Sequence, residues 1–341
     1  MSITLSILDQ SHVKENEKAE TGIQHTVRLA EAADQLGYHR FWVSEHHNNP
    51  QIVGSSPEAL AGYLLAKTNN LRIGSGGVML QHYSPFKVAE TFHVLSSLAP
   101  GRVDLGVGKA PGGLNLSTQA LQEDYQASRK DFSQKLMDLK TYLTEQENEL
   151  NAQPIPSLSP DIFLLGGSTE SAEFAAKLGI SFVFAYFING DDSLLKEARE
   201  TFKRYQKEDA QQQFLLAITV SVDEDQEQAL SYVKQKETVR VSFSDGRKLN
   251  VLSLEEAEKL VKGTKKEDYN IHVQKTGYTA GTKEVVHQQL TELAQTYDIN
   301  EFIVLSPIVD IDARIASITL LKEAFDHEQT SQKSINHEVN I

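Results

Sequence analysis

Eight short apolar runs recur along the chain, separated by segments with the spacing of amphipathic helices. The runs are ITLSIL, FWVSE, LRIGSGGVML, RVDLGVG, IFLLGG, SFVFAYF, FLLAITVSV and EFIVLS. They are nearly continuous rather than alternating, which is typical of parallel strands covered on both faces. Eight such strands alternating with helices predict an α/β fold of the (β/α)8 TIM barrel type, and a doubly wound open sheet is the alternative. A strand spacing of about thirty residues over the first four units favours the barrel.

The same pattern predicts one barrel domain over residues 1–326, followed by a polar tail at 327–341 that we expect to be frayed. The connection at 223–281, between the seventh and eighth strands, is too long for a simple crossover. It contains two helix-like pieces, EQALSYVKQKETVRVSF and SLEEAEKLVKG. Long insertions in barrels are commonly functional lids, and we expect this one to be a lid.

Composition narrows the functional classes. The chain of 341 residues has a net charge of −14 and no cysteine. An acidic chain is a poor partner for nucleic acid or an anionic membrane surface. The lack of cysteine excludes disulfides, thiolate metal sites and a catalytic cysteine. Neither a signal peptide nor an apolar run of about 18 residues is visible, so we expect a cytoplasmic protein.

The stretch RFWVSEHHNNP places Glu45, His46 and His47 where the second strand ends. In a (β/α)8 barrel, the carboxyl ends of the strands form the mouth that holds the active site. A metal site is one interpretation, but adjacent strand residues point to opposite sides, which makes a shared ion difficult. A turn whose histidines bond to the backbone is the second interpretation. Acid–base chemistry is the third, and the strand-end position favours it because histidine titrates near neutral pH.

Glycines interrupt the third and fourth strands. Gly76 and Gly77 lie inside the third strand, where glycine is unfavourable unless the strand bulges or a flat ligand approaches. The motif GVGKAP partly matches a dinucleotide-binding fingerprint, but Pro111 occupies the third glycine position and no helix of apolar period follows. We interpret these glycines as close packing or as an approach to a ligand, with Lys109 supplying positive charge.

The segment LGGSTESAEFAAKLG follows the fifth strand as a turn that leads into an amphipathic helix. Gly167 belongs to the turn, and Ser168, Thr169 and Ser171 lie at the helix start. An ordinary N-cap is one interpretation. An anion site is the other, because a helix start presents backbone N–H groups and hydroxyls to a phosphate. Lys109, at the neighbouring strand end, would complete such a site.

In combination, these motifs resemble those of the bacterial-luciferase-like flavin-dependent monooxygenases. The matching stretches, in the order of the family, are LSILDQS, LGYHRFWVSEHHNNP, RIGSGGVMLQHYSPFKVAE, LSSLAPGRVDLGVGKAPGG, LLGGSTESAEFAAKLGISFVFA and EFIVLSPIVDIDARIASITLL. They cover most of the chain outside 223–281. The resemblance implies a barrel that binds reduced FMN at its mouth, and a homodimer formed through the second and third helices.

The resemblance also assigns roles to individual residues. His46 corresponds to a catalytic histidine beside the reactive edge of the flavin. Gly76 and Gly77 correspond to a pair of small residues, joined in well-studied members by a non-proline cis peptide, against which the flavin ring packs. Residues that correspond to the phosphate-binding group are Lys109, Gly167, Ser168, Thr169 and Ser171. Lys109 replaces the usual family arginine, which keeps the charge but loses the bidentate fork.

The implied reaction is a two-component monooxygenation of a small organic substrate by O2, in which a separate NAD(P)H:flavin reductase supplies the reduced FMN. The sequence shows no nicotinamide site of its own. Asp9 and Gln10, at the end of the first strand, and Tyr186, past the sixth, are candidates to line the substrate pocket. Ordinary rim positions are the equal alternative for all three. Aldehydes, alkanesulfonates, amines and polyketides are all substrates on this scaffold, and the pattern does not select among them.

Three other functions stay open at this point. One is a flavin-binding barrel without monooxygenase activity. Another is an oxidoreductase that uses the deazaflavin F420 for hydride transfer. A metal hydrolase on the same barrel is the third, although no metal ligand set is evident around Glu45 and the two histidines that follow it.

Overall fold

Eight parallel strands close into a barrel in the computed structural model, which describes residues 3–122, 131–145, 149–207, 211–233, 238–244, 248–251, 254–274 and 276–338. The barrel strands are β1 (Thr4–Asp9), β2 (Arg40–Val43), β3 (Arg72–Met79), β4 (Val103–Gly108), β5 (Asp161–Gly166), β6 (Ser181–Ala185), β7 (Phe214–Val222) and β12 (Glu301–Leu305). The strands pair in the order β7–β12–β1–β2–β3–β4–β5–β6, and β6 pairs with β7 in turn, so the sheet closes on itself. The predicted TIM barrel is confirmed, and the open doubly wound sheet is excluded.

Helices follow the strands and pack around the barrel. They are α1 (Ala19–Leu36), α2 (Pro57–Lys67), α3 (Pro85–Leu98), α4 (Asn115–Leu121), α5 (Phe132–Thr144), α6 (Thr169–Leu178), α7 (Asp192–Tyr205), α8 (Gln226–Ser231), α9 (Leu254–Leu260), α10 (Lys283–Tyr297) and α11 (Ile311–Glu338). Proline opens α2 and α3, and Gly37 and Gly179 close α1 and α6 in the left-handed conformation. Among the helices in these described ranges, none has the length and apolar character needed to cross a membrane.

Each barrel strand sends alternate side chains into two separate hydrophobic cores. On β2, Phe41 and Val43 pack outward between the sheet and the helices, whereas Trp42 packs inward. The Trp42 ring meets Phe163 of β5 edge-on inside the barrel, with ring centroids 4.9 Å apart. The inner core is small, so other groups fill the two ends of the barrel interior.

Buried charges occupy the amino end of the interior, below Trp42. Arg40 donates from Nη1 to Asp104 Oδ2 at 2.9 Å and from Nε to Glu301 Oε1 at 2.8 Å. Arg72 donates from Nη2 to Asp104 Oδ1 at 2.6 Å, and Trp42 donates from Nε1 to Oδ2 at 2.9 Å. Both oxygens of the buried carboxylate therefore have donors, and its charge is compensated by two guanidinium groups. These groups satisfy one another and close this end of the barrel.

The long connection between β7 and β12 forms a small sheet of its own. Its strands are β8 (Thr238–Phe243), β9 (Lys248–Val251) and β10 (Tyr269–Gln274), and a further strand, β11 (Tyr278–Gly281), pairs with the end of β7. The first stretch that we expected to be helical is only partly so, because it divides into α8 and β8. Val239 and Val241 alternate into the buried cluster of this sheet, and a period of two favours a strand. The second expected helix is present as α9.

Two further segments bear on the expectations from the sequence. The polar segment from residue 327 continues α11 through Glu338, and its fraying stays a prediction. Residues 339–341 of the expected tail lie outside the described part of the chain. The short helix α4 begins within PGGLNLST, where we expected none. Leu114 and Leu116 are exposed there, so α4 lacks the buried apolar face that gives a helix a recognisable sequence period.

Candidate active site

The segment after β2 sends its side chains alternately to two sides. The Ser44 N–H donates to the Asp9 carbonyl at 3.1 Å, so pairing with β1 extends beyond the end of the strand. The Ser44 hydroxyl and His46 Nδ1 are 3.0 Å apart, which places both side chains together on the inward face of β2. Glu45 and His47 pair on the other side, with Oε1 and Nε2 2.7 Å apart. Ser44 and His46 thus form a pair that faces the barrel interior, and Glu45 and His47 form a pair that faces away from it.

His46 lies at the barrel mouth with one ring nitrogen uncommitted. Its Nε2 makes no hydrogen bond to the described part of the chain, whereas Nδ1 faces Ser44. Burial lowers the pKa of the His46 imidazole to about 4, and the neighbouring His47 adds to the decrease. The ring is therefore uncharged at neutral pH and can take part in a hydrogen bond through Nε2. This geometry keeps His46 as the candidate catalytic residue.

Glu45 is the centre of the outward group and is fully buried. Besides its contact with His47, it accepts a hydrogen bond from the Tyr83 hydroxyl at 2.6 Å and one from the Met79 N–H at 2.9 Å. Burial and the bond to Glu45 raise the pKa of Tyr83. These bonds tie the end of β2 to the end of β3. The described ranges contain no group of three or more His, Asp or Glu side chains that could hold a metal ion.

Gly76 and Gly77 of β3 are joined by a cis peptide bond, as the family resemblance implied. The pairing of β3 with β4 shifts its register across this pair, so the strand also bulges here. A Cβ on Gly76 would lie 2.7 Å from Leu8 Cδ1, and one on Gly77 would lie 2.7 Å from the Gly106 carbonyl oxygen. Neither position has room for a side chain, which explains on packing grounds why both are glycine.

The ends of β4 and β5 also carry glycines, and each of these two positions has room for a Cβ. A Cβ on Gly108 would contact only the Met79 side chain, at 3.7 Å, and one on Gly167 would meet no atom within 4 Å. Lys109 has an exposed side chain that forms no ion pair with the described part of the chain. Strand pairing sets Gly108 beside Leu165, so Lys109 and Gly167 lie at neighbouring strand ends. We call this region, Gly108, Lys109 and Gly167, the glycine opening.

The start of α6 borders the glycine opening. Ser168 is its N-cap, since its Oγ accepts a hydrogen bond from the Ser171 N–H at 3.2 Å and donates to Ser171 Oγ at 3.2 Å. The ordinary N-cap interpretation therefore applies to these two serines. Thr169 follows in the first turn, and its hydroxyl forms no hydrogen bond within the described ranges. The first-turn N–H groups of a helix have no partner within the helix, and here the Ser168 hydroxyl accepts from one of them, the Ser171 N–H.

Gly112 and Gly113 hold the β4–α4 loop against the segment of Glu45, His46 and His47. The sequence pattern assigned neither glycine a role. The His47 N–H donates to the Gly112 carbonyl at 2.8 Å. Gly112 has a φ of 63°, and a Cβ there would lie 2.9 Å from the Glu45 carbonyl oxygen. A Cβ on Gly113 would lie 2.8 Å from the His47 carbonyl oxygen. In the sequence, the two consecutive glycines after KAP were the signal for this close contact. They allow the loop that carries Lys109 to pack directly against the segment of Glu45 and His47.

The candidates for the substrate pocket do not come together. Asp9 is buried, and its carboxylate accepts from Arg314 Nη1 at 2.8 Å and from Thr26 Oγ1 at 2.6 Å, so the protein itself uses it. Gln10 is half-buried beyond the end of β1, with its Oε1 3.2 Å from His12 Nε2. Of these two residues, only Asp9 is held by an ion pair, the one with Arg314.

Tyr186 belongs to the outer core rather than to the barrel interior. Its hydroxyl donates to Asp192 Oδ1 at 2.6 Å, and its ring lies so close to Gly277 that a Cβ there would be 2.0 Å from Cδ1. The next residue, Phe187, packs on the inner core together with Val183. Because side chains alternate along β6, the spacing from Val183 is the signal that selects Phe187 rather than Tyr186 as the inward residue.

Comparison with known proteins adds to this geometry. The sequence profile described as Luciferase-like monooxygenase matches residues 3–298. The chain belongs to the luciferase-like monooxygenase family. It is 52% identical over 328 residues to the N-acetyl-S-alkylcysteine monooxygenase of Bacillus subtilis (strain 168), which covers 94% of this chain and 98% of that protein. The crystal structure of apo-MsnO8 matches with a TM-score of 0.78 at 32% identity, covering 95% of this chain and 98% of the other.

Two more distant structures share the fold of this family and contain different cofactors. The oxygenating constituent of 3,6-diketocamphane monooxygenase from Pseudomonas putida, in complex with FMN, matches with a TM-score of 0.68 at 16% identity over 94% of this chain and 97% of that one. An F420-dependent secondary alcohol dehydrogenase, in complex with an F420–acetone adduct, matches with a TM-score of 0.66 at 16% identity over 95% and 98%. Both flavin and deazaflavin cofactors thus occur on this fold.

Proposed function

We propose that this protein is a two-component monooxygenase that uses reduced FMN and O2 to oxygenate a thioether of the N-acetyl-S-alkylcysteine class. The observation that carries the proposal is the glycine opening at the ends of β4 and β5, on the same mouth of the barrel as His46. Gly108 and Gly167 leave space for a flat ring, and Lys109 places an unpaired positive charge at its edge. The 52% identity to an N-acetyl-S-alkylcysteine monooxygenase supports the substrate class.

The residues present fit a flavin mononucleotide on chemical grounds. Gly108 and Gly167 carry no side chain at the ends of β4 and β5, so a planar ring can approach the backbone there. Lys109 supplies a charge for the phosphate, and the first turn of α6, with Thr169, supplies N–H and hydroxyl groups. Below the mouth, the packed inner core that contains Trp42 excludes water from the barrel interior.

Reduced flavin, when bound, supplies the activation of O2. The chain's own residues have the tasks of holding the phosphate, orienting the ring and keeping water out. His46 is uncharged at neutral pH because burial holds the pKa of its imidazole near 4. It therefore contributes a hydrogen bond through Nε2 rather than a proton from an imidazolium ion. Of the proposed substrate-pocket residues, Gln10 and the inward Phe187 are better placed than Asp9 and Tyr186.

The first test is an anaerobic titration of the purified protein with oxidised and with reduced FMN, followed by fluorescence and absorbance. We expect preferential binding of reduced FMN, weakened by on the order of tenfold in Lys109→Ala because a charge-assisted contact to the phosphate is lost. Lys87→Ala is the matched control, since the Lys87 side chain is 73% exposed on the outside of α3. Failure to bind FMN in either redox state would refute the assignment.

The second test is turnover. The protein, an N-acetyl-S-alkylcysteine and O2 are mixed with reduced FMN, supplied first chemically and then by an NAD(P)H:flavin reductase. We expect one atom of ¹⁸O from labelled O2 in the oxidised product, measured by mass spectrometry. Binding of FMN without turnover of any tested substrate would favour a flavin-binding protein. Oxidation of an organic substrate by F420 without O2 would favour the deazaflavin enzyme instead.

Two features beyond the site belong to the same proposal. We propose a homodimer through α2 and α3, supported by the exposed apolar side chains of Tyr63, Val94 and Leu98. Light scattering should then give twice the mass of one chain, and a monomer would contradict it.

We also propose that the insertion at 223–281 acts as a lid, which predicts slower proteolysis of that segment when reduced FMN is bound.

A further inference from the structure

The hydrogen bond between Ser44 and His46 has a direction that its surroundings determine. Ser44 Oγ and His46 Nδ1 are 3.0 Å apart, and Ser44 is only 4% exposed. The structure gives Ser44 Oγ no other hydrogen-bond partner among the described residues. A hydroxyl group has a single hydrogen to donate, and Nδ1 is the acceptor within its reach.

The opposite direction would leave a buried donor unsatisfied. If Nδ1 carried the hydrogen, the Ser44 oxygen would accept it, and the hydroxyl hydrogen of Ser44 would then have no acceptor. Burying a donor without an acceptor is unfavourable, so Ser44 is favoured as the donor and Nδ1 as the lone-pair nitrogen. A neutral imidazole has one N–H, and this hydrogen must then lie on Nε2. The lowered pKa of His46 agrees with a neutral ring.

We propose that Ser44 is a positioning residue that holds His46 as the Nε2–H tautomer, so that His46 presents an N–H donor to the barrel mouth. The catalytic meaning of this inference rests on the proposed function: at that site, Nε2–H stabilises an acceptor atom of the bound reactants and cannot remove a proton from them. Glu45 cannot orient the ring instead, because its oxygens are bound on the opposite side by His47, Tyr83 and the Met79 N–H.

The tautomer can be read directly by NMR of the flavin-free protein labelled with ¹⁵N-histidine, near pH 7. The signals of His46 are assigned by their loss in His46→Asn. We expect Nδ1 at the chemical shift of a lone-pair nitrogen and Nε2 at that of a protonated nitrogen. A hydrogen on Nδ1 in the wild-type protein would overturn the proposal.

Three variants test whether Ser44 causes the preference. Ser44→Ala should shift His46 toward a mixture of both tautomers, and Ser44→Thr, which keeps a hydroxyl, should restore the Nε2–H form. Ser6→Ala is the matched control, because Ser6 is also a fully buried serine but donates to Glu301 at 2.6 Å at the other end of the barrel. Thermal melts establish that each variant is folded. An unchanged tautomer in folded Ser44→Ala would show that Ser44 has no positioning role.

Kinetics give a second readout. With an active substrate, Ser44→Ala should lower kcat several-fold while KM for the organic substrate and Kd for reduced FMN stay within twofold, and Ser44→Thr should recover the rate. The NMR experiment needs no cofactor, so the two proposals can fail separately. If the protein does not bind FMN but His46 carries its hydrogen on Nε2, only the proposed function is refuted. If the protein binds FMN but His46 carries its hydrogen on Nδ1, only this inference is refuted.

Discussion

The two ends of the barrel interior use polar groups in opposite ways. At the amino end, Arg40, Asp104 and Glu301 are buried and bind one another, so their charges hold strands together. At the carboxyl end, His46 keeps Nε2 unpaired and Lys109 has no ion partner among the described residues, beside glycines that leave open space. The polar groups at the amino end bind one another and stabilise the barrel, whereas His46 Nε2 and Lys109 at the carboxyl end have no partner in the described residues and can bind a ligand.

Breaking the amino end should give the largest loss of stability. Asp104→Ala leaves Arg40 and Arg72 without their shared carboxylate, and removing one partner of a buried ion pair costs about 3–5 kcal/mol. Urea unfolding should show this loss, while the affinity of the folded protein for reduced FMN stays unchanged. Lys14→Ala is the control, because its pair with Asp310 is half exposed and screened by water, so its removal should change stability little. Equal losses in the two variants would contradict the comparison.

Changing the carboxyl end should affect the rate instead. His46→Leu should reduce the single-turnover oxygenation rate by on the order of 10²–10³-fold, since it removes a preorganised hydrogen-bond donor. Its unfolding free energy at pH 7.5 and its affinity for reduced FMN should remain close to the wild-type values. A variant that turns over at the wild-type rate would remove His46 from the catalytic group.

The pH dependence of stability should show a smaller effect of the same residue. The pKa of His46 falls from 6.5 to about 4 on folding, so the unfolded chain binds a proton more readily than the folded one. Stability from this group is complete above pH 6.5 and is lost as the pH falls toward 4, by about 2–3 kcal/mol at pH 4.5. His46→Gln should therefore lose less stability than the wild type between pH 7.5 and 4.5. Parallel losses would contradict the buried neutral ring.

The barrel itself was predictable because its signal is local. Eight apolar runs separated by helical spacing define the strands, and the position of Gly76 and Gly77 in the third run was enough to expect an unusual backbone there. The strand β8 was missed because its alternation of Val239 and Val241 lies inside a longer stretch rich in good helix formers.

The environment of individual polar residues was less predictable, because it depends on distant partners. Asp9 stands at the end of the first strand like a rim residue, but its partner Arg314 lies 305 positions later, and no local pattern reveals that bond. Tyr186 was a candidate because it lies just past the sixth strand, but the period of that strand directs Phe187 inward instead. The direction of the Ser44–His46 bond follows from the lack of another acceptor for Ser44 Oγ among the described residues, and only the structure shows this.

The most direct test of the central claim, that reduced FMN binds in the glycine opening, is an anaerobic titration of Gly108→Val. A Cβ at this position would contact only the Met79 side chain, at 3.7 Å, and a thermal melt establishes that the variant is folded. We expect its affinity for reduced FMN to fall by at least about tenfold, a loss of roughly 1.4 kcal/mol, because the added side chain occupies the space of the ring. A folded Gly108→Val protein that binds reduced FMN as tightly as the wild type would contradict the account.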